Sequence, residues 1–348
     1  MSETGNPLVS VIILNYNGRE VLESCLDSVF ATSYSPFEVI VVDNGSTDGS
    51  AEIARRRYSA RHNFRLLRKE SNVGFCAGNN AGIRAARGEF LVLLNYDTVV
   101  DPNWLSELVT EAIRSGAAFG QPKILMLNNK RIINSTGLTI HVAGFAILRG
   151  SGEIDVGQYD GLKEVYGVHG ACIFASREAI EEVGLLDDNF FYLNEDTDWS
   201  WRALLMGLKS VYVPTALVYH EWGHALGSRS ITKFYYAERN RMIMILTNYS
   251  YRSLVLLLPV FILTEISTFG YCLFHKILHA KILAYADLLR MRRYIIQRRK
   301  LIQSKRRVPD RLLMNRFTYK FEHAFLAKAV APLNAIYECF FRLILSFI

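Results

Sequence analysis

The sequence predicts an α/β fold in which a mostly parallel sheet is flanked by helices and is followed by a C-terminal membrane-associated helical region. Apolar runs of strand length alternate with helical patterns in the first part of the chain. Each of these runs ends in a polar loop. Further on, long apolar segments enclose a strongly basic stretch. We therefore divide the chain into an α/β unit, residues 1–248, and a C-terminal region, residues 249–348.

Four apolar runs are predicted to be strands, because continuous apolar runs suit strands that are buried on both faces of a parallel sheet. Helical patterns lie between them, from about Arg19 to Phe30, from Ser50 onward, and up to about Ala86. Alternation of this kind is typical of right-handed crossovers between parallel strands. The predicted strands are Val9–Leu14, Phe37–Val42, Phe64–Leu67 and Phe90–Leu94.

The polar residues that follow these strands are expected to meet at one edge of the sheet, where open α/β folds bind ligands. Asp97, after the fourth strand, is the first candidate for a group that faces a metal or a phosphate. Mg²⁺ and Mn²⁺ commonly bridge one or two carboxylates to substrate phosphates. A plain turn is the alternative for each loop, since Asp and Asn are ordinary turn residues. The glycines of Gly74–Gly82 lack G-x-G-x-x-G spacing, which disfavours a dinucleotide-binding Rossmann site.

Four segments in series carry a resemblance to a known family: VSVIILNYN, VIVVDNGSTDGS, NVGFCAGNNAGI and LVLLNYDTVVDP. They resemble the family 2 inverting glycosyltransferases with the GT-A fold, and within that family the rhamnosyltransferase-like branch. The similarity covers roughly residues 8–245. It implies that Asp97 holds a divalent metal, Mg²⁺ or Mn²⁺, on the diphosphate of a nucleotide-sugar donor. The donor-binding residues that follow from it are Asn15, Asp43, Asn44, Asn72, Gly74, Asn79 and Asn95.

One departure from the family pattern concerns the metal. The family motif is often Asp-x-Asp, whereas this chain has Asn95-Tyr96-Asp97 and so keeps a single carboxylate. The metal would then be held more weakly or need a ligand from elsewhere in the chain.

The middle of the chain is harder to interpret. A helix is predicted over Asn103–Ser115, and Ala117–Gly120 and Ile124–Met126 are predicted to be edge segments. Arg131–Gly161 is rich in glycine and predicts a flap near the acceptor. Gly167–Ser176 is predicted to be a strand close to the site, because small residues cluster there. His169 within it is interpreted as structural rather than as a donor contact.

The stretch FFYLNEDTDWSWR places Glu195, Asp196 and Asp198 at a predicted helix start, with Asn194 as N-cap. Carboxylates in a first turn gain from the helix dipole, which is the structural explanation. The functional explanation is a general base, because an inverting transfer needs one carboxylate to accept the proton of the attacking hydroxyl. The resemblance assigns that role to Asp196 and assigns orientation of the acceptor to Glu195. Trp199 and Trp201 could stack on a sugar or pack in the hydrophobic core.

The sequence His220-Glu221-Trp222-Gly223-His224 matches the H-E-x-x-H pattern of zinc proteases. That chemistry requires both histidines on one helix, but this motif follows a β-like run and no third ligand is obvious. In the transferase interpretation, His220 supplies the metal ligand that Asn95 does not. Arg229, on the loop after it, would neutralise the leaving diphosphate.

The C-terminal region predicts contact with a membrane. Leu254–Leu278 is apolar for long enough to span a bilayer, and residues 276–320 hold 14 lysines and arginines against two aspartates. A spanning segment would place the basic cluster outside, against the positive-inside tendency. Helices lying in the cytoplasmic leaflet, with cations on anionic headgroups, are therefore favoured. Nucleic acid is disfavoured as a partner, because no recognised binding motif accompanies the basic stretch.

The resemblance implies a metal-dependent inverting glycosyltransferase, and the C-terminal sequence favours a location at the cytoplasmic face of the cell membrane. It would move a sugar from a dTDP-, UDP- or GDP-linked donor to a hydroxyl of a lipid-linked or glycan acceptor in cell-envelope glycan or glycoprotein assembly. Two alternatives stay open: a zinc-dependent membrane protease and a non-catalytic nucleotide-sugar-binding subunit. The five scattered cysteines lack a Cys-x-x-Cys pair and argue against a zinc ribbon or a disulfide framework.

Overall fold

The computed structural model describes residues 5–221, 231–321 and 334–341. The strands are β1 (Val9–Asn15), β2 (Phe37–Asp43), β3 (Phe64–Arg68), β4 (Phe90–Asn95), β5 (Thr98–Val100), β6 (Phe119–Met126), β7 (Asn129–Ser135), β8 (Leu138–Ile140), β9 (Ala146–Leu148), β10 (Glu164–Val165), β11 (Cys172–Ser176) and β12 (Ser210–His220). The helices are α1 (Leu22–Phe30), α2 (Ser50–Tyr58), α3 (Gly74–Ala85), α4 (Trp104–Ser115), α5 (Arg177–Val183), α6 (Glu195–Leu205), α7 (Ile231–Asn248), α8 (Tyr251–Leu256), α9 (Leu258–Phe274), α10 (Leu278–Arg290), α11 (Arg292–Lys305) and α12 (Asp310–Met314).

The strands form a mixed sheet with the order β10-β12-β6-β11-β4-β1-β2-β3, while β8 and β9 pair separately. Its parallel part confirms the four predicted strands. β1 pairs in parallel with both β2 and β4, and β2 pairs in parallel with β3. The register sets Asn15 opposite Asp43 and Leu14 opposite Asn95. The polar residues that end these strands therefore share one edge of the sheet.

Helices cover both faces of this sheet because alternate strand residues point to opposite sides. Ile12 and Leu14 belong to one buried cluster, together with residues of α3, α6, α7 and α11. Val11 and Ile13 belong to the other, with residues of α1, α2 and α4. Two cores thus hold the sheet, which agrees with the predicted α/β class.

The two predicted edge segments are wrong in position. They form one strand, β6, which lies inside the sheet, parallel to β12 and antiparallel to β11. Pro122 lies in its middle, although proline cannot donate to a sheet ladder. The structure places Pro122 at an irregularity of β12 that also includes Pro214, where the regular register is interrupted between Val213 and Leu217. The interior position is tolerated for that reason.

The apolar segment Leu254–Leu278 is divided among α8, α9 and the start of α10. Within residues 5–221, 231–321 and 334–341, no helix combines the length and apolar character needed to cross a bilayer. Leu257, Val260 and Leu288 of this region join the same buried cluster as Ile12 of β1. The division of the chain at residue 248 stays a prediction.

Candidate active site

A cleft of about 630 Å³ opens at the edge of the sheet where β1, β2 and β4 end. It brings together seven of the residues predicted from the sequence, which come from four separate stretches of chain. They are Asn44, Asn72, Gly74, Asn95, Asp97, Glu195 and Asp196. Tyr16, Asn17, His169 and Phe191 also line this cleft. The predicted Arg229 lies outside the described residues, as does His224.

Asp97 and His220 approach each other beside the cleft, with 3.4 Å between Asp97 Oδ1 and His220 Nε2. Both side chains are buried, and Asp97 Oδ1 has no hydrogen-bond partner among the described residues. His220 Nδ1 lies 3.1 Å from Asn134 Oδ1. A proton on Nδ1 would be donated to Asn134 and would leave the Nε2 lone pair available, which is how metal-binding histidines are commonly oriented.

These two side chains suit a divalent cation. In the part of the chain that the structure describes, no group of three or more His, Cys, Asp or Glu side chains is arranged to hold a metal. Mg²⁺ and Mn²⁺ sites often take only one or two protein ligands and complete their shell with phosphate and water. Asp97 and His220 therefore fit a metal that is shared with a phosphorylated ligand rather than a closed structural site.

Asp196 and Glu195 begin α6 at the opposite wall of the cleft. Asp196 Oδ2 accepts a hydrogen bond from Gly170 N at 2.9 Å. Its Oδ1 accepts from Thr197 N at 2.6 Å and from Thr197 Oγ1 at 3.1 Å. Asn194 is the N-cap residue of α6, as predicted, but its side chain makes no capping hydrogen bond. Asn194 has a left-handed backbone, with φ of 66°, and its side-chain amide donates instead to Ala237 O in α7 at 2.8 Å.

The surroundings of Glu195 and Asp196 affect the pKa values of the two carboxyls differently. Burial and the charge of Asp196 raise the pKa of Glu195 to about 8, and its Oε2 has no partner among the described residues. Burial also raises the pKa of Asp196, but the donors from Gly170 and Thr197 favour its ionised form and oppose that rise. The donors to Asp196 and the unpartnered Glu195 Oε2 therefore favour the proton on Glu195 and the negative charge on Asp196, which is the arrangement expected of an acid and a base side by side.

The raised pKa of Glu195 predicts a pH-dependent stability. Because its folded pKa of about 8 exceeds its usual 4.5, the folded state binds more protons than the unfolded state between these values. The free energy of unfolding should fall as pH rises through this window, and Glu195→Gln should remove the fall. Above pH 8 the variant should be more stable than the wild type, on the order of a few kcal/mol. Urea unfolding from pH 5 to 9 measures this.

Glu178→Gln is the matched control, because Glu178 is an exposed glutamate in the first turn of α5. Its unfolding free energy should follow that of the wild type with pH. Parallel pH dependence of the wild type and Glu195→Gln would show that Glu195 is not protonated in the folded protein.

Three predicted donor-binding residues do not line the cleft and instead support its loops. Asn15 Nδ2 donates to Asp43 Oδ1 at 3.1 Å and to Ser50 Oγ at 2.8 Å. Asn79 is buried in α3, where its amide donates to Phe75 O. Asp43 Oδ2 is buried, accepts no hydrogen bond in the described part of the chain and lies 3.6 Å from Arg68 Nε. Direct contact of these residues with a donor stays a prediction.

Gly74 is required by a close approach between two walls of the cleft. Its φ of +89° is left-handed, and a Cβ at this position would lie 2.6 Å from the Phe191 ring. The carbonyl of Phe191 accepts from Phe75 N at 2.6 Å, which caps the start of α3. The side chain of Asn44 contacts the residues just before Gly74, since its Nδ2 donates to Asn72 Oδ1 and its Oδ1 accepts from Val73 N.

The sugar-stacking role considered for Trp199 and Trp201 is wrong, because both rings are fully buried. Trp199 donates from its indole N–H to Gly184 O and packs on Phe119. Trp201 packs edge-on against Tyr249. The apolar face of α6 needs both rings for the core.

The H-E-x-x-H interpretation is contradicted at its first histidine. His220 is the last residue of β12, where it pairs with Thr98 of β5, so it does not begin a helix. The backbone N–H of Glu221 donates to Asp97 O at 3.0 Å. This contact holds His220 beside Asp97, which suits the metal role and not the protease geometry.

Sequence reasoning missed how the loop before α6 is held. Phe191, Leu193 and Asn194 all have left-handed backbones, with φ of 60°, 70° and 66°. Asn240 of α7 donates from its side-chain amide to three carbonyls of this loop: Phe190 O at 3.0 Å, Tyr192 O at 3.0 Å and Leu193 O at 2.8 Å. Non-glycine residues rarely adopt this conformation unless the surroundings impose it. The sequence signal that could have pointed to this contact is the polar Arg239-Asn240-Arg241 segment of α7.

Comparison with known proteins gives a consistent result. The profile described as Glycosyl transferase family 2 matches residues 10–184. The O-antigen biosynthesis protein RfbC of Myxococcus xanthus is 29% identical across 62% of this chain and 18% of its own length. The poly-beta-1,6-N-acetyl-D-glucosamine synthase of Staphylococcus epidermidis is 28% identical across 60% of this chain and 48% of its own length. The chain thus spans less than half of the length of these two relatives.

A solved structure supports the fold. The mannosyltransferase PcManGT from Pyrobaculum calidifontis, in complex with GDP-Man and Mn²⁺, is 17% identical, with a TM-score of 0.52 over 82% of this chain and 76% of that one. At this identity the similarity concerns the fold alone. It confirms the predicted α/β architecture of the GT-A type.

Proposed function

Because the chain belongs to glycosyl transferase family 2, we propose that it transfers a sugar from a nucleotide-diphosphate donor to a hydroxyl of a saccharide acceptor, with inversion at the sugar. The observation that carries this proposal is the arrangement of the cleft. Asp97, which lies beside His220 in an arrangement suited to a cation, and the Asp196 carboxyl line the same cleft. These are the two functions that a direct displacement of a diphosphate requires.

The chemistry assigns a task to each side chain. Asp196 accepts the proton of the attacking hydroxyl, and its charge is oriented by the donors from Gly170 and Thr197. Protonated Glu195 can donate a hydrogen bond to the acceptor. Asp97 and His220 would hold Mg²⁺ or Mn²⁺, which would stabilise the negative charge of the departing diphosphate. A single displacement forms no covalent enzyme intermediate, so no second nucleophilic carboxylate is needed.

The finer assignments extend the same proposal. Mn²⁺ with a nucleotide sugar is supported by the ligands named for PcManGT, and a dTDP-, UDP- or GDP-linked sugar is the donor class. A cell-envelope glycan as acceptor is supported by the names of RfbC and of the poly-N-acetylglucosamine synthase. A lipid-linked form of that acceptor and a location at the cytoplasmic face of the cell membrane are supported by the apolar and basic C-terminal sequence.

A donor panel tests this proposal. The full chain is incubated in detergent with UDP-, GDP- and dTDP-sugars, and sugar release is measured with Mn²⁺, with Mg²⁺ and with a chelator. We expect one nucleotide class to be hydrolysed, the chelator to stop the reaction and added metal to restore it. Asp97→Asn should raise the metal concentration for half-maximal rate by about tenfold or more, since metal sites lose affinity of this order when their ligands are disturbed.

Asp101→Asn is the control, because Asp101 also follows the fourth strand but accepts its hydrogen bond from Asn103 N within a turn. It should keep the wild-type metal requirement. Donor binding without any hydrolysis or transfer would contradict an enzyme and favour a nucleotide-sugar-binding subunit, which the Asn95 substitution in the metal motif makes the second candidate.

A further inference from the structure

An exposed apolar strip runs along α8 and α9. Its members follow each other at intervals of three and four residues, so they lie on one helical face. They are Val255, Leu258, Ile262, Ile266, Phe269 and Leu273, with exposed fractions between 43% and 71%. With 17 residues, α9 is about 25 Å long. Single exposed apolar residues are ordinary, whereas a contiguous strip marks a contact surface.

The opposite face of α9 carries polar side chains that contact the rest of the protein. Glu265 is the only charged residue of α9, and it points inward, to Arg241 Nη2 at 2.7 Å and Lys281 Nζ at 2.7 Å. Thr264 is also buried. A helix packed on a water-facing protein surface normally has the reverse order, with its charges outward. Here the polar groups of α9 fasten it to α7 and α10, and the apolar groups face away.

Exposed cations follow α9 along the chain. Lys276 is exposed in the turn directly after α9, and Arg290, Arg292 and Arg293 are exposed where α10 meets α11. Apolar side chains with neighbouring lysines and arginines are the combination that binds the surface of an anionic bilayer. We propose that the α9 strip is a membrane-docking surface that inserts into a leaflet containing anionic phospholipids.

The α9 helix that carries the strip is connected to the cleft wall through α7. Phe234, in the first turn of α7, stacks on Tyr271 of α9 with 6.5 Å between the ring centroids. Ala237, one turn further along α7, accepts the hydrogen bond from Asn194 at the cleft wall. Docking through α9 would therefore hold the mouth of the cleft near the lipid surface. This part rests on the proposed function, since it gives a lipid-linked acceptor a short route to Asp196.

Vesicle binding of the full chain tests the surface. Wild type, the double variant Ile262→Asp/Ile266→Asp and the control Ile113→Asp are sedimented with vesicles of phosphatidylcholine, with and without phosphatidylglycerol. Ile113 is a matched control, because it is a 61% exposed isoleucine on α4, which packs on the other face of the sheet. We expect the wild type and the control to bind anionic vesicles equally and more tightly than neutral ones. The double variant should bind about tenfold more weakly or worse, because two apolar side chains no longer leave water.

Other outcomes overturn the proposal. The α9 strip is not the docking surface if the wild type does not bind vesicles. It is also not the docking surface if the double variant binds as tightly as the wild type, because another part of the chain would then provide the affinity. If the wild type forms a dimer, the double variant is monomeric and neither binds vesicles, the strip is a self-association surface instead.

Thermal unfolding checks that the variants fold, and the variant Ile262→Gln/Ile266→Gln is used if the aspartate variant does not. Donor hydrolysis in solution is measured on the same samples, so failure of the transferase proposal appears separately from failure of docking.

Discussion

Asp196→Asn should lower the rate of sugar transfer by about 10³-fold while leaving donor affinity nearly unchanged. A positioned general base contributes about 10²–10⁴-fold, and an amide cannot accept the proton of the attacking hydroxyl. Asp196 lies on the α6 wall of the cleft, whereas the cation pair Asp97–His220 lies beside the strand ends, so the donor should still bind. Single-turnover transfer and calorimetric donor binding measure the two effects independently.

Two further variants make this result specific. Thr197→Val keeps the carboxylate but removes the hydroxyl that donates to it, so the pKa of Asp196 should rise and the acid limb of the pH–rate profile should move to higher pH. Asp198→Asn removes a neighbouring carboxylate that pairs with Arg202 and Arg298, and it should reduce stability rather than the rate per folded molecule. A rate above about one tenth of wild type in Asp196→Asn would refute the base assignment.

The parallel half of the sheet and its ligand-binding edge were predictable from the sequence for a physical reason. Strands buried on both faces are continuously apolar, so Val9–Leu14 and Phe90–Leu94 can be recognised as strands from the sequence alone. The polar residue that ends each run then marks the carboxyl edge without any knowledge of tertiary contacts. Asp97 was found in this way, and Asp196 was found through the resemblance.

The partners that organise the site could not be predicted, because they are distant in sequence. Asn134 reaches His220 across 86 residues, and Asn240 reaches Phe190 across 50. No local sequence pattern predicts either contact. Burial of Trp199 likewise depends on β6 being inside the sheet, because the Trp199 ring packs on Phe119 of that strand. Tertiary packing decided each of these points.

Asn240→Ala should lower the transfer rate by about 10²-fold, because it releases the loop that places Glu195 and Asp196. The Asn240 amide donates to three carbonyls of residues 190–193, and its carbonyl oxygen accepts from Arg239. Left-handed residues cost about 1–3 kcal/mol each and persist only where surrounding contacts impose them. Without the amide, Phe191 and Leu193 should relax toward ordinary backbone angles. A shift of about 1 Å at a catalytic group is enough for a loss of this size.

Asn248→Ala separates positioning from stability. Asn248 is also a buried asparagine of α7, but it lies at the other end of the helix, and its amide donates to Asp198, which does not line the cleft. Both variants should lose unfolding free energy, about 1–3 kcal/mol for each buried polar group left without a partner. Measured well below the unfolding temperature, only Asn240→Ala should lower kcat and displace the acid limb of the pH–rate profile, since only it changes the surroundings of Asp196. Equal losses of kcat in the two variants would show that α7 supports the fold in general and that the loop is held by its own packing.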